Sequence, residues 1–162
     1  MTDPAVTNAP VPHHELVLER VINATPDKLY RAWTEPELLK QWFCPKPFWV
    51  SHAEMDVRAG GASVIVMNGP NGEVMPNPGI YLEVVPNRKL VFTDAYTRAW
   101  EPSEKPFMTG IIEFEPVGKG QTRYTARVRH WSAEDRQAHA DMGFHEGWGK
   151  ATDQLEELVA RL

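Results

Sequence analysis

Three side chains near the C-terminus have the types and spacing to do chemistry: His130, Asp141 and His145. Asp141 precedes His145 by four residues, one helical turn, so the two share a helix side. Brought together in a cavity, the three could do acid–base work on an enolisable substrate. They could equally orient a ligand's carbonyl or hydroxyl group. The plainer reading of each histidine is a boundary residue hydrogen-bonded to backbone or water, and it takes precedence.

Other candidates carry less. A zinc site from His139, Asp141 and His145 needs convergent ligands, yet positions 139 and 145 diverge by about 240° around a continuous helix at about 100° per residue. The adjacent His13 and His14 lie on a proline-rich arm and read as solvated. Cys44 stands in "FCPKP" with no arranged base. Lys46 is its nearest cation, and His52 is the only base the reading offers it. "GKGQT" lacks the upstream glycine of a phosphate loop and reads as a turn. Asp94 shares a strand face with Leu90 and Phe92. The expectation is that the strand ends at Thr93 and leaves Asp94 as a solvated rim residue. No metal and no cofactor is called for.

The elements that must position these groups follow from period and punctuation. "ELVLERVIN" alternates as a strand, with Leu16, Leu18 and Arg20 on one face and Val17, Glu19 and Val21 on the other. "ATPDKLYRAWT" is a helix with Thr25 at its N-cap and Pro26 at its first position. Pro36 opens a second short helix, "PELLKQWF", which Pro45 and Pro47 stop. Six strands in three hairpins follow: "FWVSHAEMDV" and "ASVIVMN" around "RAGG", "IYLEVV" and "KLVFTDAY" around "PNR", and "FMTGIIEFE" and "TRYTARVRH" around "PVGKGQ". "GPNGEVMPNPG" between the first two pairs reads as a loop. In the last strand Thr122, Tyr124, Ala126, Val128 and His130 face one way and Arg123, Thr125, Arg127 and Arg129 the other. One face is covered and one is wet.

The remaining residues, from Ser132 onward, read as one long helix, opened by a capping box of Ser132 and Asp135. Phe144, Trp148, Ala151, Leu155, Leu158, Val159 and Leu162 fall in one arc of about 100°. Gly143 and Gly147 flank that arc. They predict either close packing beside a cavity walled by Trp148 or a kink near position 143. Gly149 has no role in this reading.

The 162 residues, with 42% apolar and 24% charged side chains, suit one globular domain. The division is a disordered arm over residues 1–14 and a single domain over residues 15–162. A net charge of −5 argues against nucleic-acid binding and against anionic membranes. No run is long and apolar enough to insert in a membrane, the N-terminus has no secretory pattern, and one cysteine excludes an intrachain disulfide. A cytoplasmic location is the expectation.

Three longer words, "RVINATPDKLYRAWTEPELLKQWFCP", "GIYLEVVPNRKLVFTDAY" and "MGFHEGWGKATDQLEELV", give the chain a resemblance over residues 15–162. It resembles the START-like (SRPBCC) superfamily. Within it, the chain is similar to the bacterial family named after the C-terminal domain of the activator of heat-shock protein 90 ATPase. The resemblance implies an α+β helix-grip fold: a curved antiparallel sheet wrapped around a long C-terminal helix, with two short helices after the first strand. It also implies a cavity of the kind in which superfamily members hold lipids, sterols, polyketides or plant phenolics. It brings no catalytic set. The eukaryotic namesake's further N-terminal domain is matched here only by the short arm, so a chaperone partner is not carried over.

The resulting expectation is a domain that binds a small, largely hydrophobic molecule of lipid, polyketide or aromatic class between sheet and helix. The ligand-binding residues would be Phe92, Met108, His130, His145 and Trp148, while Trp33 and Trp42 would serve packing. The alternatives are a cofactor-independent cyclase or isomerase using a cavity histidine, and a chaperone-associated adaptor. Binding is put ahead of catalysis, and neither the ligand nor the oligomeric state is readable.

Overall fold

The structure is a computed structural model that describes residues 14–162. Residues 1–13, with His13 and nearly all of the expected arm, lie outside the described residues. Nine strands and four helices follow in chain order: β1 (Glu15–Ile22), α1 (Pro26–Thr34), α2 (Pro36–Leu39), β2 (Trp49–Met55), β3 (Ala62–Asn68), β4 (Val74–Val85), β5 (Lys89–Thr93), β6 (Tyr96–Arg98), β7 (Glu101–Pro102), β8 (Met108–Val117), β9 (Gln121–His130), α3 (Ala133–Asp141) and α4 (Phe144–Val159). Seven strands make one curved antiparallel sheet in the order β1-β9-β8-β5-β4-β3-β2, and β6 pairs only with β7. This is the expected α+β helix-grip architecture.

The alternation read from β9 matches its burial except at Thr125, which is buried although its parity sets it on the outer face. Thr122, Tyr124, Ala126, Val128 and His130 are all buried. Arg123, Arg127 and Arg129 make ion pairs with Glu15, Glu19, Glu113 and Glu115 on the outer face. The core joins that inner face to α1 and α4 through Leu29, Trp33, Phe114, Leu155 and Val159. In β1, Leu16 is buried and Arg20 points inward to the helix, where its Nη1 donates to Asp153 (2.6 Å) and Glu156 (2.9 Å). Its Nη2 donates to the Gly149 carbonyl at 3.2 Å. This contact gives Gly149 the partner that its sequence position did not suggest.

The helical ends differ from expectation in detail. Thr25 occupies the N-cap of α1 but its side chain makes no cap bond, whereas Ser132 accepts from the Asp135 N–H at 3.1 Å. The second helix closes at Leu39, and residues 40–43 continue as turns.

Two readings of the strands need correction. The segment read as a loop before "IYLEVV" is strand from Val74 onward, paired with β3 from Val74↔Asn68 to Ile80↔Ala62. Pro76 and Pro78 argued against a strand, but parity makes them compatible with one. The Tyr81 N–H donates to the Gly61 carbonyl on the β3 side (2.9 Å), so odd-numbered amides of β4 face β3 and even-numbered ones face away. Both prolines therefore remove an N–H only on the side away from β3.

The second correction follows from the first. Of "KLVFTDAY" only the part to Thr93 is the strand β5, the end expected in reading Asp94; β6, from Tyr96, lies against β4 without joining its ladder. Extending the β4–β5 pairing past Ile80↔Thr93 would set Pro78 and Pro76 opposite this segment, where their missing donors would leave its carbonyls unpaired.

The C-terminal helix is also two helices. Gly143 has φ 89° and divides α3 from α4. That left-handed backbone is costly for any residue with a Cβ. Each alternative holds in part: the helix breaks at position 143, and Gly147 and Trp148 line a cavity. Close packing at Gly147 is not found, because a Cβ built there meets nothing within 4 Å.

Candidate functional site

Between the inner face of the sheet and α4 lies a cavity of about 490 Å³. One wall is aromatic. Trp33 packs on Trp42, Phe43 and Phe92 with ring centroids 5.0, 5.8 and 5.8 Å apart. The indole N–H groups are already committed, Trp33 to the buried Tyr124 hydroxyl (3.1 Å) and Trp42 to the Ala32 carbonyl (2.9 Å). These tryptophans pack, as expected, and also line the cavity. Gln154 of α4 holds the following loop by donating to the carbonyls of Trp42 and Cys44.

Phe92, Met108 and Trp148 all line this cavity. Phe92 reaches it because its cross-strand partner is Gly110. A Cβ on Gly110 would lie 2.5 Å from the Phe92 ring, so the ring occupies the place of a side chain. Trp148 stacks on the buried Phe144 at 5.4 Å. The space beside Gly147 opens on the same cavity.

The histidines are placed differently from the reading. His145 is exposed on α4, against the outer side of Phe144, and does not line the cavity. Asp141 is exposed and accepts from Gln137. His130, Asp141 and His145 therefore form no constellation. The reason is the break at Gly143, which removes the common helical phase that placed 141 and 145 together.

His130 is buried, one layer behind the cavity wall. Its Nδ1 lies 2.8 Å from the His14 carbonyl and its Nε2 lies 2.8 Å from His139 Nδ1. A carbonyl only accepts, so His130 Nδ1 carries a proton. With both rings neutral, His130 Nε2 must accept from His139 Nδ1–H, which leaves His139 Nε2 as a bare acceptor. His139 lines the cavity. Burial, with a smaller contribution from neighbouring His130, pushes its pKa down to about 4. The reading missed His139 because it set this residue in phase with α4. The available signal was Gly143, which puts residues 132–141 on an axis of their own.

Asp94 meets its expectation only in part. The strand does end at Thr93, yet Asp94 is half-buried and lines the cavity. Its Oδ1 accepts from the Phe107 and Met108 N–H groups at 2.8 and 3.1 Å, fixing the start of β8. The Phe107 ring lies 5.0 Å from that of His139. Phe107 thus touches both groups, Asp94 through its N–H and His139 through its ring, and this stretch is the polar end of the cavity.

Cys44 is buried, and burial pushes its thiol up to about 11, which suits packing rather than nucleophilic attack. His52 is exposed and pairs with Glu54. Among the described residues, no three His, Cys, Asp or Glu side chains converge as metal ligands would. Among the described residues, no helix is long and apolar enough to cross a membrane.

Comparison with known proteins agrees with the fold. Protein NE0264 from Nitrosomonas europaea is 42% identical, superposes with a TM-score of 0.87, and the match covers 91% of this chain and 94% of that one. Protein Ms6760 from Mycobacterium smegmatis is 25% identical (TM-score 0.76, 90% of each chain). CV1439 from Chromobacterium violaceum is 26% identical (TM-score 0.73, 89% and 96%). The comparison with curated proteins gives no match. The sequence family described as Activator of Hsp90 ATPase homolog 1-like protein matches residues 23–160, and the chain belongs to that family.

Proposed function

We propose that the protein binds a small, largely hydrophobic molecule of lipid, polyketide or aromatic class in the cavity between the sheet and α4. Domains of this family commonly hold hydrophobic ligands. The observation that carries the reading here is the cavity itself: about 490 Å³, walled by Trp33, Trp42, Phe92, Met108 and Trp148, with open space left at Gly147. Burying apolar ligand surface against such walls supplies about 25 cal/mol per Å², and the polar end sets orientation.

Phe92, Met108, His139 and Trp148 are the residues we assign to ligand contact. His130 acts behind them by fixing the His139 tautomer, and His145 takes no part. Catalysis is the weaker reading. A base with a pKa near 4 holds a proton poorly at neutral pH, so His139 suits hydrogen bonding better than proton abstraction.

An amide NMR titration against a panel of fatty acids, sterols, flavonoids and aromatic polyketides tests this. The expected result is a saturable shift confined to the cavity residues with at least one class, abolished in Gly147→Phe, whose ring would fill the open space. No shift at high excess, or equal shifts in Gly147→Phe, would sink the proposal.

A further inference from the structure

We infer that the cavity selects against acids: its ligand carries a hydroxyl or amine at the end that meets Asp94 and His139, and no carboxylate. This rests on the cavity-binding reading above and narrows it to a donor-bearing, neutral or cationic molecule.

Among the residues lining the cavity, Asp94 is the sole acidic side chain, and no lysine or arginine is present. An anionic head group entering here would lose its water, find no cation, and meet a carboxylate of its own sign. Hydrogen-bond polarity points the same way. Asp94 uses Oδ1 for two backbone N–H groups, and its Oδ2 has no partner among the described residues. His139 Nε2 is left as an acceptor by the ordered chain of protons from the His14 carbonyl through His130. Both free atoms at the polar end therefore ask for a donor.

Nearby donors are spent. Thr93 Oγ1 donates to the Met108 carbonyl and Thr152 Oγ1 to the Trp148 carbonyl. The Trp148 indole N–H has no partner among the described residues. It can serve a ligand oxygen of any kind, so it does not separate an alcohol from an acid. Charge and the two free acceptors do. An ammonium group gains most, since it pairs with Asp94 and lies among ring faces that attract cations.

Four probes with one skeleton test this on the full chain: biphenyl, biphenyl-4-methanol, biphenyl-4-methylamine and biphenyl-4-carboxylate. Dissociation constants are measured by calorimetry at neutral pH. The expected order is amine tightest, then alcohol, with the carboxylate about tenfold or more weaker than the alcohol. Asp94→Asn keeps an oxygen for the Phe107 and Met108 amides while removing the charge, and it is expected to bring the carboxylate at least threefold closer to the alcohol. The wild-type ratio stands alone should that variant fold poorly. A carboxylate that binds wild type as tightly as the alcohol overturns the inference while leaving the cavity reading intact. If none of the four binds, biphenyl included, the cavity reading itself fails and takes this inference with it.

Discussion

His139 couples a fixed proton position to a lowered basicity, and both consequences are measurable. The unfolded chain takes up this proton near pH 6.5, the folded chain only near pH 4. Between those values the unfolded state binds more protons, so stability is complete above about 6.5 and is lost as pH falls towards 4. After allowance for partial exposure, the loss is on the order of 1–2 kcal/mol. Urea midpoints of wild type and His139→Asn at pH 7 and pH 4.5 check this: the wild type should lose more between the two. Equal losses would remove His139 as the cause. Cys44 makes a second prediction at this scale. A buried thiol held near 11 should stay unreacted with a disulfide reagent at pH 8 in the native protein and react once urea unfolds it. Rapid native labelling would contradict its placement.

The helices α3 and α4 carry the next predictions, because their glycines do different work. Gly143 has the left-handed backbone, so Gly143→Ala is expected to cost about 1 kcal/mol. Gly149 has an ordinary helical backbone, and an added Cβ meets Arg20 Nη2 at 3.7 Å, a normal contact. Gly149→Ala should therefore stabilise by about 0.5–1 kcal/mol. Thermal melts of the two variants should move in opposite directions; parallel shifts would refute the assignment. The same elements show how far the sequence was legible. The stripe Phe144, Ala151, Leu155, Leu158 and Val159 was readable, since all five are buried by one face of one helix. The pairing of His130 with His139 was not, because a single left-handed glycine resets the helical phase and no periodicity records the new angle. Likewise β9 announced itself by alternation. The first half of β4 did not, because the prolines that mask it are harmless only on the side where no strand pairs.

At the scale of the molecule, Arg20 fastens the sheet to the helix that roofs the cavity. It bridges Asp153, Glu156 and the Gly149 carbonyl from the first strand. Replacing it with methionine should destabilise by about 1 kcal/mol, an effect that shrinks with added salt. A salt-independent loss would mean that packing of its stem dominates. The cavity walls were legible in kind from the abundance of aromatics, but their convergence depends on cross-strand register. Phe92 opposite Gly110 is a fact of pairing that no single strand reveals.

The prolines of β4 have one more consequence, in the order in which parts of the protein open. Because Pro76 and Pro78 offer no donors, the β6–β7 ribbon lies against β4 without ladder bonds to it and is tied by its own pairing and by Ser103 N–H to the Ala95 carbonyl. Lifting it breaks side-chain packing alone, whereas separating β5 from β4 breaks a ladder. Amide protons of residues 96–103 should therefore exchange with deuterium well before those of 89–93, by local opening rather than global unfolding. The stem of that ribbon is Asp94, so a part of the fold with little to break stands at the polar end of the cavity.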